Sequence, residues 1–202
     1  MKQRETELKM GEFIHLHVHS HMSMLDGAAS IKDIVDEACR LNMPAISITD
    51  HGNLFAASEF YDYAQHRGIK PIIGMEAYLT PSDHAYFSRS LPLFHLVLLA
   101  RNDIGYMNLV KLASLAYIEG FYYKPRIDFN QLEKYSEGLI ALSSCILGEV
   151  SRKLLEEDED GAVAAIKNYQ RIFGKDNFYV EIQNHGIPEQ IKILNPLVKV
   201  AR

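Results

Sequence analysis

The segment PAISITD, residues 44 to 50, is short, apolar and rich in isoleucine, as a strand buried on both faces must be. Just before it, Ile31, Ile34, Val35, Ala38 and Leu41 fall on one helical stripe from Ser30 to Leu41, with Ser30 and Asp33 as an N-terminal cap. A buried strand between amphipathic helices confines the chain to a sheet covered by helices. FIHLHVH (13 to 19) alternates like a strand, and the spacing from Leu54 to His66 predicts a helix stopped by Gly68. The alternation continues with strands at 70–79, 94–100, 138–144 and 177–183 and helices at 103–118, 147–156, 160–173 and from Pro188. Residues 80–92 and 119–137 read as irregular. Six strands separated mainly by helices predict an α/β fold with a parallel sheet, either open and doubly wound or closed into a barrel.

The chain of 202 residues is long enough for one large core. With 48% hydrophobic and 23% charged residues it is neither a disordered nor a fibrous sequence. Its formal charge of -5 excludes a global basic field, so nucleic acid must be gripped locally or elsewhere. Cys39 and Cys145 are the only cysteines; they exclude a disulfide scaffold and fit a reducing cytoplasm. The opening MKQRETELKMGE lacks the apolar core of a signal peptide, and no apolar run reaches bilayer length, so no membrane association is expected. Residues 1–11 read as a polar tail ahead of a single domain over 12–202, with no repeat or linker inside it.

Histidine carries the chemistry. Of nine, four (His15, His17, His19 and His21) lie within seven residues. In a strand His15, His17 and His19 share a face, and an inward-facing row of imidazoles needs partners, which a metal supplies to several at once. A solvated edge strand is the other reading. His15, deeper in the strand, reads equally as a satisfied core histidine, and His21 is expected to face solvent. Asp26-Gly27 is a turn signal, Asp50 and His51 end an apolar strand, and Glu76 sits late in another, where a salt bridge would also account for it. His95 by position alone is a core or surface histidine, and Cys145 a small hydrophobe. Successive strands nonetheless deliver His, Asp or Glu near their carboxyl ends, where α/β proteins build their sites.

The motifs HLHVHSHMSMLDG, ITDHGNLF, KPIIGMEAY, FHLVLLARNDIGYMNLVKLASLAYIEGFYYKPRID and SSCILGEV resemble the PHP (polymerase and histidinol phosphatase) domain of bacterial DNA polymerase III alpha subunits. The likeness runs from about residue 12 to 202 and is closer to the replicative polymerases than to free-standing phosphatases. It implies a distorted barrel with two or three divalent ions, Zn or Mn, at the carboxyl ends of the strands. The ligands it implies are His17, His19, Asp26, His51, Glu76, His95 and Cys145, with Asp50 orienting an imidazole from behind. The family pattern closes with an Asp-x-His on a further strand that these residues do not include, so the barrel and its site are expected to lack their last strand here. Pro196 departs from the expected terminal helix and should kink it or end it at Asn195.

The function implied is that of the N-terminal domain of a DNA-directed DNA polymerase in DNA replication, with its own metal-dependent phosphodiester hydrolysis, a 3′ to 5′ exonuclease. The implied partners are DNA, through the full polymerase, and the rest of the replicative holoenzyme. Two alternatives stand beside it: a metal-stabilised structural module that docks a separate proofreading exonuclease, and a stand-alone phosphatase for a small phosphomonoester such as histidinol phosphate.

Overall fold

Ser30 opens the first helix as its position implies, its hydroxyl accepting the backbone N–H of Asp33. Helix α1 (Ile31–Arg40) then buries Ile31, Ile34, Val35 and Ala38. The computed structural model describes residues 13–81 and 92–202. The polar tail at 1–11 and most of the stretch at 80–92 lie outside them. Strand β1 (Ala45–Ile48), helix α2 (Ala57–His66) and strand β2 (Lys70–Thr80) form a β-α-β unit in which β1 and β2 pair in parallel. There follow β3 (Phe94–Ala100), α3 (Asp103–Ile118), β4 (Phe121–Tyr122), β5 (Lys124–Asp128) and α4 (Phe129–Lys134). The remaining elements are β6 (Leu139–Leu142), α5 (Glu149–Leu155), α6 (Glu159–Phe173), β7 (Phe178–Tyr179) and α7 (Pro188–Val200). The sheet has seven strands in the order β4-β5-β2-β3-β6-β7, with β1 also on β2. No helix among the described residues is long and apolar enough to cross a membrane.

The α/β class holds, but the sheet is mixed rather than parallel. Strand β3 runs antiparallel to both β2 and β6. Neighbouring consecutive strands such as β2 and β3 need no helical crossover when they run antiparallel. Residues 13–19 form no ladder and bend at His17. They lie along β1 through two backbone bonds, Ser47 N–H to the His15 carbonyl (3.1 Å) and Thr49 N–H to the Val18 carbonyl (2.8 Å). The stretch read as irregular at 119–137 holds β4, β5 and α4, the last opened by a capping box between Asp128 and Gln131. Helix α7 runs through Pro196 to Val200 instead of ending at Asn195.

The period of two along β2 divides the molecule. Met75, Ala77 and Leu79 enter a core with Leu96 and Leu98 of β3, Leu109 and Leu112 of α3 and Tyr169 of α6. A second core joins α1, α2 and β1 through Val35, Ile48 and Phe60. The alternate positions of β2, Glu76 and Tyr78, therefore face the other way. Helix α3 packs so closely on the turn before β6 that a Cβ on Gly105 would stand 1.8 Å from the Gly138 carbonyl oxygen.

Candidate metal centre

Glu76 is 1% exposed, yet its carboxylate is surrounded by imidazoles. Its Oε2 lies 3.4 Å from His17 Nε2, 3.2 Å from His19 Nε2 and 3.0 Å from His51 Nδ1. Its Oε1 lies 3.1 Å from His95 Nδ1 and accepts from the Ser144 hydroxyl. Cys145 Sγ stands 3.8 Å from both Glu76 Oε1 and His95 Nδ1, and Asp26 Oδ2 is 2.6 Å from His51 Nε2. Five of the other six side chains expected as ligands thus meet around the buried Glu76 carboxylate, and Asp26 joins them through His51.

Strand geometry explains the meeting. An isolated parallel bridge couples His51, just beyond β1, to Glu76, so both reach the same sheet edge. Because β3 is antiparallel to β2, its first residues lie beside the last residues of β2, and His95 faces Tyr78 across the ladder. That is why a histidine at the start of a strand joins side chains at the ends of others. Cys145 follows β6 after Ser144, which is buried with φ of 63°, a left-handed conformation costly for a residue bearing a side chain. The chain bends at His17, so His15 does not share the inward face; it is exposed, edge-on to the Phe13 ring. His21 is exposed, as expected.

Asp50 does not orient an imidazole. Next to His51 in extended chain, it points to the opposite side. There its carboxylate accepts from Ser20 N–H (2.7 Å), Ser20 Oγ (2.8 Å) and Ser23 Oγ (2.6 Å). Ser23 Oγ in turn accepts the His51 N–H at 3.1 Å. Asp50 therefore braces the loop that carries Asp26, and reaches His51 only through its backbone.

The electrostatics follow from crowding. Burial alone would raise the Glu76 pKa, but hydrogen bonds from His17, His19, His51 and His95 hold its carboxyl far below the usual carboxylate range. Burial would lower His17, but hydrogen bonds and charge from Glu181 and Glu76 push it up to about 10. His51 is raised in the same way by Glu76 and Asp26, against its own desolvation. Burial and the Glu76 charge push the Cys145 thiol up.

The donor atoms suit a cation. Three groups each bring their donors within 4.8 Å of one another: His17, His19 and Glu76; His19, Asp26 and His51; His51, Glu76 and His95. Nδ1 of His19 is buried without a hydrogen-bond partner among the described residues. Nitrogen and carboxylate donors at this density have the chemistry of a divalent-cation site.

The sequence model of the PHP domain matches residues 15–185. The chain belongs to the PHP domain family. Among its relatives, the DNA polymerase III alpha subunit of Borreliella burgdorferi is 50% identical over 94% of this chain and 17% of its own length. Those of Thermus aquaticus and Treponema pallidum are 47% and 43% identical over 95% and 94% of the chain, and 16% of their own length. The PHP chain thus spans about a sixth of the relatives it matches. A candidate metal-dependent phosphoesterase from Bifidobacterium adolescentis shares the fold, with a TM-score of 0.50 at 13% identity over 92% of this chain and 83% of that one.

Two acidic and polar contributors of this PHP domain escape the sequence reading. Glu181 Oε1 lies 2.8 Å from His17 Nδ1, and Gln183 Nε2 lies 2.7 Å from the same oxygen. An acid late in NFYVEIQ carries the same signal as Glu76 in KPIIGMEAY and could have been singled out by it. Ser144, on Glu76, carries no such signal.

Proposed function

We propose that this chain is the PHP domain of a replicative DNA polymerase III alpha subunit, and that it holds two or three divalent ions for phosphodiester hydrolysis at a single-stranded 3′ end. The observation that carries the reading is the convergence of His17, His19, Asp26, His51, Glu76, His95 and Cys145 on one sheet edge. The buried Glu76 carboxylate at the centre of that set would be costly without positive charge to compensate it. Bound cations would supply Lewis-acid activation of water and neutralise charge on the phosphate. Glu76, with both oxygens facing the imidazoles, would hold the ions together with His17, His19, His51 and His95, and Asp26 and Cys145 would add donors beside them. Asp50 would keep the Asp26 loop closed over the site, and no side chain need act as a nucleophile.

The surroundings support a polymeric substrate over a small phosphomonoester. Exposed rings of Phe55, Tyr117 and Phe121 follow one another at centroid distances of 6.1 and 6.0 Å. Phe55 is four residues beyond His51, and Lys124 Nζ stands 3.3 Å from the hydroxyl of Tyr78, whose ring stacks on His51. Stacking faces beside a cation are how single strands are held without a basic global charge. DNA and the other replicative subunits are the partners this reading brings, and two free thiols suit a reducing cytoplasm.

A polymerase containing this sequence, stripped with chelator and reloaded with Mn or Zn, tests the reading on a 5′-labelled single strand. Stepwise shortening from the 3′ end is expected, reduced at least a hundredfold by His17→Ala with His19→Ala while DNA synthesis is unchanged. Shortening that survives both substitutions would refute it.

A further inference from the structure

The His17 imidazole is gripped on the side away from Glu76. Its Nε2 faces Glu76 and His19, while its Nδ1 meets Glu181 Oε1 at 2.8 Å. The Glu181 side chain is 14% exposed and its other oxygen is buried without a hydrogen-bond partner among the described residues, so Oε1 carries its fixed contacts. Behind it the contacts continue. Gln183 donates from Nε2 to Glu181 Oε1 at 2.7 Å, and Gln190 donates from Nε2 to Gln183 Oε1 at 3.2 Å. Gln190 lies on α7, is 4% exposed, and is itself fixed by the His185 N–H donating to its Oε1 at 2.8 Å. The Glu181 backbone is pinned as well, its N–H donating to Ser143 Oγ at 2.9 Å beside the end of β6.

We propose that Glu181 is a positioning residue for the metal centre, holding His17 with its proton on Nδ1 and its Nε2 lone pair toward the cluster, with Gln183 and Gln190 as struts that tie this orientation to α7. The inference rests on the metal-centre reading and adds to it a residue outside the expected ligand set. A carboxylate accepting the far N–H of a ligating imidazole fixes the tautomer and makes the other nitrogen a better donor. A free imidazole at this place would populate two tautomers and more than one ring orientation. The amides of Gln183 and Gln190 hold the ring orientation before any ion arrives, so less ordering is left to oppose binding.

The chain labelled with 15N at histidine and loaded with Zn, which is diamagnetic, reports the tautomer directly through long-range proton–nitrogen correlations. The expected spectrum has His17 in one state, protonated on Nδ1. Glu181→Ala should lose that single state and weaken Zn binding about 10- to 100-fold, the range for partners behind a ligating histidine. Glu181→Gln keeps an acceptor oxygen and should recover part of the loss, and Gln190→Leu should cost a few-fold. In a His17→Ala background, Glu181→Ala should weaken Zn binding no further, an outcome that a merely structural role would not give. Wild-type Zn affinity with an unchanged His17 tautomer in Glu181→Ala would overturn the inference while leaving the metal centre intact. Full additivity of the two substitutions would also overturn it. A wild-type chain that takes up no Zn overturns the metal-centre reading, and the positioning role with it.

Discussion

A carboxylate taken out of water inside a strand is expensive unless charge or hydrogen bonds replace what it loses, and Glu76 has four imidazoles and a hydroxyl in place of solvent. Replacing it by glutamine removes the charge and leaves the geometry, so Glu76→Gln should lose metal and cost on the order of 3 kcal/mol, as when a buried ion pair loses one partner. Denaturant midpoints with and without added Zn check this; an unchanged midpoint and full metal content would deny Glu76 its central place. The raised groups give the sign of the pH dependence. His17, at about 10, holds a proton at neutral pH in the metal-free chain, and the His51 and Cys145 shifts act in the same direction. An ion must displace those protons, so its apparent affinity should climb as pH rises toward 10 and fall as pH drops. Calorimetry in buffers of different ionisation enthalpy should find at least about one proton released per chain on metal uptake; none released would mean that His17 and Cys145 do not ligate.

Helix α7 contains Pro196 and continues past it, although proline there removes a backbone donor and crowds the preceding turn. Leu197 and Ile193 are buried, so packing on the core holds the helix together across the defect. Pro196→Ala should restore the missing bond and raise stability by up to about 3 kcal/mol, read as a higher thermal midpoint; a lower one would mean that the ring itself fills a packing need. The same competition shows how far the sequence was legible. Helices α1, α3 and α6 were readable because caps and apolar spacing are local, whereas the end expected at Asn195 was not, because tertiary burial decided it. Spacing alone marks His15, His17 and His19 together; the bend at His17 turns His15 out, and the family motif is what singles out the other two. His95 could not: its place depends on β3 running antiparallel, and a seven-residue apolar strand carries no direction. Glu181 is likewise brought to His17 across 164 residues by the β6 to β7 pairing, which no window of sequence contains. Asp50, expected behind an imidazole, is sent by the alternation of faces to Ser20 and Ser23 instead.

Across the described residues, one face of the sheet is committed to apolar packing with α3 and α6, while the donors of the candidate centre come from the strand ends, the segment along β1 and the loop that carries Asp26. The division comes from the period of two in β2, where Met75, Ala77 and Leu79 alternate with Glu76 and Tyr78. It keeps the candidate donors apart from the apolar side chains of the main core. It also concentrates the buried Glu76 carboxylate and the imidazoles around it at one place. A crystal of the Zn-loaded chain, with anomalous scattering recorded at the Zn edge, tests this most directly. The account predicts two or three peaks around Glu76, with His17, His19, Asp26, His51, His95 and Cys145 at bonding distances of about 2.0–2.3 Å. Anomalous maps without a peak among these side chains, from crystals grown in excess Zn, would contradict it.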